Sequence, residues 1–145
     1  TSNHVCYALR QEQSLFSGDH VMGWSTSIVS PPDGDMRAYM ASLEKLLGRD
    51  DRVFWPNHGP PIEDPQPFVR AFIAHRHERE AQILACLGDD IGGIPAMVSR
   101  MYADVDPGLH PAAARSVLSH LIHMVEEKRV VCDSAASLDQ DYRLP

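Results

Sequence analysis

Twice in its first sixty residues the chain runs an apolar stretch into a short loop that carries one metal-type side chain. Leu15-Phe16-Ser17-Gly18-Asp19 ends on a carboxylate, and Val53-Phe54-Trp55-Pro56-Asn57-His58-Gly59-Pro60-Pro61 ends on an imidazole. Short runs rich in aromatic and β-branched residues read as strands, and Gly or Pro punctuates their ends. Between the two runs, Met36, Tyr39, Met40, Leu43, Leu46 and Leu47 fall on one face of a helix. Asp33 or Asp35 stands where that helix would be capped, and Gly48 where it would stop. Strand, helix, strand is the unit that joins two parallel strands by a crossover. If both strands lie in one sheet, Asp19 and His58 emerge at the same edge, where α/β proteins keep their sites. A carboxylate with an imidazole is a donor pair suited to zinc, manganese or iron.

The remaining segments extend this beginning at both ends. Val5–Leu9 reads as a strand, turned by Arg10-Gln11-Glu12-Gln13 into the strand at Ser14–Ser17. Residues 23–34, with Pro31 and Pro32, read as a loop. Pro67–Leu87 reads as one long helix or two in line, with "HRHERE" at its centre, and His77, Glu78 and Glu80 are expected on a solvated face. After Gly88 come helical segments at Ile94–Tyr102 and Pro107–Glu127, then short strands at Arg129–Cys132 and around Tyr142–Leu144. Helices followed by a two-stranded hairpin is the order of a winged helix. The expected class is therefore mixed α/β (α+β), with a first domain over residues 1–80 and a winged-helix-like domain over 81–145.

Charge and cysteine usage narrow the function. Of 145 residues, 20 are acidic and 13 basic, a formal net charge of −7. Such a balance disfavours sequence-independent binding to phosphate backbones. From Gln82 onward nine acids face five bases, the wrong sign for a DNA-binding winged helix, so this part is expected to pack or to gate substrate. The three cysteines are widely spaced and form no CxxC pair, which argues against a disulfide framework and for a reducing, cytoplasmic setting. No apolar run approaches the ~20 residues that span a bilayer, so no membrane partner is expected.

Taken in order, "TSNHVCYAL", "LFSGD", "WPNHGPPI" and "HRHEREAQIL" resemble the C-terminal half of metallo-β-lactamase-fold hydrolases. The likeness is to the glyoxalase-II-like branch, related to lactamase-beta-like endoribonucleases that end in a small winged helix. The resemblance implies that Asp19 is the catalytic aspartate bridging two zinc ions and that His58 is a ligand to the second metal, with Asn57 where the family has Gly. It also implies supporting or substrate-side roles for His4, His75 and Arg76. The family's His-x-His-x-Asp-His motif does not occur in this sequence. The resemblance thus makes the chain the C-terminal half of an αββα sandwich followed by a winged helix.

From this follow a set of expectations. The complete protein would hydrolyse an ester, a thioester or a phosphodiester with metal-activated water. The acidic surface favours a small ester or thioester as substrate, and RNA is within reach of the same chemistry. The chain alone would bind zinc weakly, turn nothing over, and associate with itself or with the other half of the sandwich. Two rival readings are a winged-helix binding module with a protein or nucleic-acid partner, and a pseudo-enzyme lacking the upstream motif.

Overall fold

The computed structural model describes residues 3–145. Two compact units make up the chain, one built from residues up to Ile28 with Ala38–His75, the other from Val29–Arg37 with Arg76–Pro145.

The first unit is organised by a three-stranded sheet in the order β1 (Tyr7–Leu9), β2 (Ser14–Gly18), β3 (Val53–Pro56). β1 runs antiparallel to β2, with Leu9 opposite Ser14, and a tight helical turn over Arg10–Glu12 joins them. β2 runs parallel to β3, with Leu15 opposite Phe54 and Phe16 opposite Trp55. The crossover is helix α1 (Met36–Leu47), as the strand-helix-strand order requires. Strand alternation divides the residues between faces. Leu15 and Phe54 are buried, as are Met40, Leu43 and Leu46 of α1, while Tyr7, Phe16 and Trp55 are exposed. Each such buried aliphatic side chain contributes about 1.5–3 kcal/mol. The end of α1 leaves carbonyls without helical partners, and Gln66 Nε2 donates to two of this region, Leu46 at 3.0 Å and Arg49 at 2.9 Å.

Gln66 belongs to α2 (Pro65–Gly88), one continuous helix whose first part lies in the first unit and whose remainder, from Arg76, lies in the second. The second unit adds α3 (Ile94–Met101) and α4 (His110–Glu126). Asp106 opens the approach to α4 by accepting the Gly108 N–H at 2.8 Å. The core of this unit joins Ile83 and Leu87 of α2 to Met97 and Val98 of α3 and to Val117, Leu121 and Met124 of α4, closed by Val130 and Tyr142.

The expected terminal hairpin is smaller than two strands. Its pairing is one bridge, Val131 opposite Arg143, with reciprocal N–H···O bonds of 2.9 and 3.0 Å. The intervening Asp133–Gln140 segment is polar and small, so no apolar face extends the ladder. Tyr142 is instead fixed individually, buried and donating its hydroxyl to the Ser137 carbonyl at 2.8 Å.

Glu80 requires a correction. His77 and Glu78 are exposed as expected, but Glu80 is only 3% exposed. Arg129 Nη1 stands 2.6 Å from its carboxylate, with His123 Nδ1 at 3.3 Å and His120 Nδ1 at 3.8 Å. A carboxylate so buried persists because it is paired. Among the described residues no helix is long and apolar enough to cross a membrane.

Candidate active site

The loops after β2 and β3 meet because their backbones are bonded to each other. Asn57 N–H donates to the Gly18 carbonyl at 3.2 Å, and Gly23 N–H donates to the His58 carbonyl at 2.9 Å. Two glycines allow this approach with left-handed backbones, Gly18 at φ +56° and Gly59 at φ +90°. At Gly18 the reason is also spatial: a Cβ there would stand 2.6 Å from His4 Nε2. The imidazole of His4 occupies that space and accepts the Asp19 N–H at 3.1 Å.

As a result Asp19 Oδ1 and His58 Nε2 stand 3.5 Å apart, with side chains 53% and 58% exposed. An exposed pair of this kind contributes little to stability, roughly 0–1 kcal/mol. Its interest is chemical: an oxygen and a nitrogen donor converge on a solvent-open sheet edge. His4 joins them through the backbone of Asp19, with its Nε2 engaged by that N–H. The structure thus brings His4, Asp19 and His58 together. His75 and Arg76 stand on α2, one in each unit, and Arg76 is 3% exposed. The positive charge of Arg76 acts on His120, adding to the burial that lowers the pKa of that histidine.

One residue escaped the sequence reading although it adjoins Asp19. His20 is buried, its Nε2 lies 3.0 Å from Ser42 Oγ, and its ring meets Tyr39 edge-on at 5.2 Å. Burial, followed by the nearby His4, pushes its pKa down to about 4, so the ring is neutral at physiological pH. Tyr39 Oη and Ser27 Oγ both donate to the His20 carbonyl, at 3.2 and 3.0 Å. The single Ser27 hydroxyl proton is shared with the Asp19 carbonyl. The only sequence signal for His20 was its place beside Asp19.

Whether these residues fit a metal depends on both donor type and donor number. Asp19 and His58 have the right type for zinc. A zinc ion takes about four ligands. Among the described residues, no group of three or more His, Cys, Asp or Glu side chains converges to hold an ion. The donors present suit a metal in kind and fall short in number.

Comparisons with known proteins agree with the fold. A family model described as the beta-lactamase associated winged helix domain matches residues 94–137. The chain is 34% identical over 139 residues to the beta-lactamase-like protein 2 homolog of Drosophila melanogaster, covering 94% of this chain and 46% of that protein. It is 30% identical to an atrochrysone carboxyl ACP thioesterase of Aspergillus fumigatus, covering 90% of this chain and 44% of the relative. A metallo-β-lactamase family protein from Thermus thermophilus superposes with a TM-score of 0.80 at 21% identity, over 98% of this chain and 45% of the other. The fold is that of the metallo-β-lactamase proteins. The chain belongs to the metallo-β-lactamase superfamily, carries a C-terminal winged helix, and spans under half the length of the relatives just described.

Proposed function

We propose that this chain supplies part of the metal centre of a hydrolase, with Asp19 and His58 as two of the ligands to a dinuclear zinc site. The observation that carries the reading is their approach to 3.5 Å on two loops bonded to each other. When two ions are bound, such a centre lowers the pKa of a water and makes it a nucleophile at neutral pH. The protein's own part is to present the two donors at an open edge, with His4 holding the backbone of Asp19. The remaining ligands come from outside this chain, so the chain alone binds zinc weakly and is inactive.

A small thioester or ester is the favoured substrate class. Support comes from the thioesterase relatives and from the net charge of −7, which disfavours RNA. Supporting roles for His75 and Arg76 belong to the same proposal. So does pairing with a second copy or with another segment of the sandwich.

Calorimetric zinc titration tests the ligand assignment, together with a thioester hydrolysis assay on the same chain. Weak binding that Asp19→Asn and His58→Ala each abolish, with no turnover, is expected. Tight stoichiometric zinc unaffected by either substitution, or metal-dependent turnover by this chain, would overturn the reading.

A further inference from the structure

Asp19 sits at the third position of a tight turn that His20 closes, since His20 N–H donates to the Ser17 carbonyl at 3.1 Å. The turn is bonded on every side. Asp19 gives its N–H to His4 and its carbonyl to Ser27, and Ser17 Oγ donates to the Val21 carbonyl at 2.9 Å. These contacts are all to the backbone of the turn or its neighbours. The side chain of His20 ties the turn to a regular element, reaching α1 through Ser42 and Tyr39. α1 also holds the His20 backbone, because Tyr39 Oη donates to its carbonyl.

We infer that His20, locked onto α1 by Ser42 and Tyr39, is a positioning residue that fixes where the Asp19 carboxylate stands relative to His58. α1 acts on the turn as a lever. Tyr39 and Ser42 lie one helical turn apart and grip two points of the same residue, its carbonyl and its ring. A residue held at both its carbonyl and its ring transmits the position of the helix to the residue before it, Asp19. His58 is held by a second set of contacts, the bonds from Asn57 to Gly18 and from Gly23 to His58, which tie its loop to the loop that carries Asp19. The separation of the two donors is therefore decided by α1 on one side and by the loop zipper on the other. Sites that must hold donors to within about 0.5 Å need such supporting contacts. The inference deepens the ligand role proposed for Asp19.

The test uses amide hydrogen exchange by NMR on the full chain, with zinc titration as a separate readout. His20→Leu keeps bulk and loses the bond to Ser42; His20→Gln keeps a polar group that reaches Ser42; Ser42→Ala removes the partner with little change of volume. His20→Leu and Ser42→Ala are expected to speed exchange of the Asp19 amide about tenfold, with His20→Gln close to wild type. The amides of Leu15 and Phe54 should stay protected in all three. Unchanged Asp19 exchange in Ser42→Ala would overturn the inference, as would a uniform rise across β2 and β3, which means general destabilisation. If His20→Leu does not fold, Ser42→Ala still decides. Absence of any zinc binding, with the expected exchange pattern, would remove the metal role and leave the positioning role standing.

Discussion

Gly23 donates its N–H to the carbonyl of His58 across 2.9 Å, and a Cβ on Gly23 would lie 2.4 Å from the carbonyl oxygen of Pro60. The obstacle is backbone, so no side-chain rotation relieves it. Gly23→Ala must push the two loops apart and break the bond that seats His58. Forced overpacking of this sort costs roughly 1–3 kcal/mol. A fall of that size in unfolding free energy from urea titration is expected, with any zinc affinity lost as well. A variant as stable as wild type would show that the loops are not clamped.

Glu80 makes stability depend on acid. Burial would raise its pKa, but the nearby His120 and the hydrogen bond and charge of Arg129 outweigh burial and hold the carboxyl down at about 2. At 3.8 Å His120 is a neighbour beyond bonding distance, so Arg129 at 2.6 Å is the main partner. A carboxyl whose folded pKa is depressed stabilises above its unfolded value, near 4.5, and loses that contribution as pH falls toward 2. Glu80→Gln should therefore cost roughly 2 kcal/mol at pH 7 and little at pH 2. Urea midpoints of both proteins across that range check the sign. Parallel profiles would mean the pair is silent.

Glu80 also marks what could not be read along the chain. "HRHERE" has the composition of a solvated face, and nothing nearby distinguishes Glu80 from Glu78. Its partners His123 and Arg129 lie 43 and 49 residues further on, and only packing reveals them. His20 was hidden in the same way, because its anchors on α1 are about twenty residues away and its neighbour Asp19 drew the chemical reading. The parallel strands were legible because each apolar run ends sharply at Gly or Pro, and an amphipathic helix separates them. The Asp19–His58 approach followed from that local grammar. The wing was less legible, since a strand needs a partner and the polar Asp133–Gln140 turn supplies only one bridge.

The winged helix should not hold duplex nucleic acid. Its cations are largely spent on acids of the same unit: Arg129 on Glu80 and Glu127, Arg100 on Asp89 at 2.6 Å, Arg143 on Asp133 at 2.8 Å. On α4, His120 is 1% exposed, and His123 faces Glu80 and Glu127. A surface with so few spare cations releases few counterions from DNA. Fluorescence anisotropy with duplex DNA or RNA at physiological salt should give a Kd weaker than about 100 μM. Tight binding that survives Asp19→Ala and His58→Ala would favour the rival binding module.

The outer face of the sheet carries a row of exposed aromatic residues. Register places Tyr7 opposite Phe16 and Phe16 opposite Trp55, so three aromatic rings stand side by side across β1, β2 and β3. All are open to solvent, at 70%, 49% and 44%. Aromatic side chains bury about 150–250 Å² each when covered, and clustered exposed apolar surface marks an interaction site. At about 25 cal/mol per Å², covering even half of three such rings contributes several kcal/mol to association. Sedimentation velocity should therefore show concentration-dependent self-association of this chain, weakened by Phe16→Ser and more by Phe16→Ser with Trp55→Ser. Both substitutions replace side chains on the face opposite Leu15 and Phe54, so the buried side of the sheet is untouched. A chain that stays monomeric at high concentration, or associates equally well without both rings, would show that this face is not the contact.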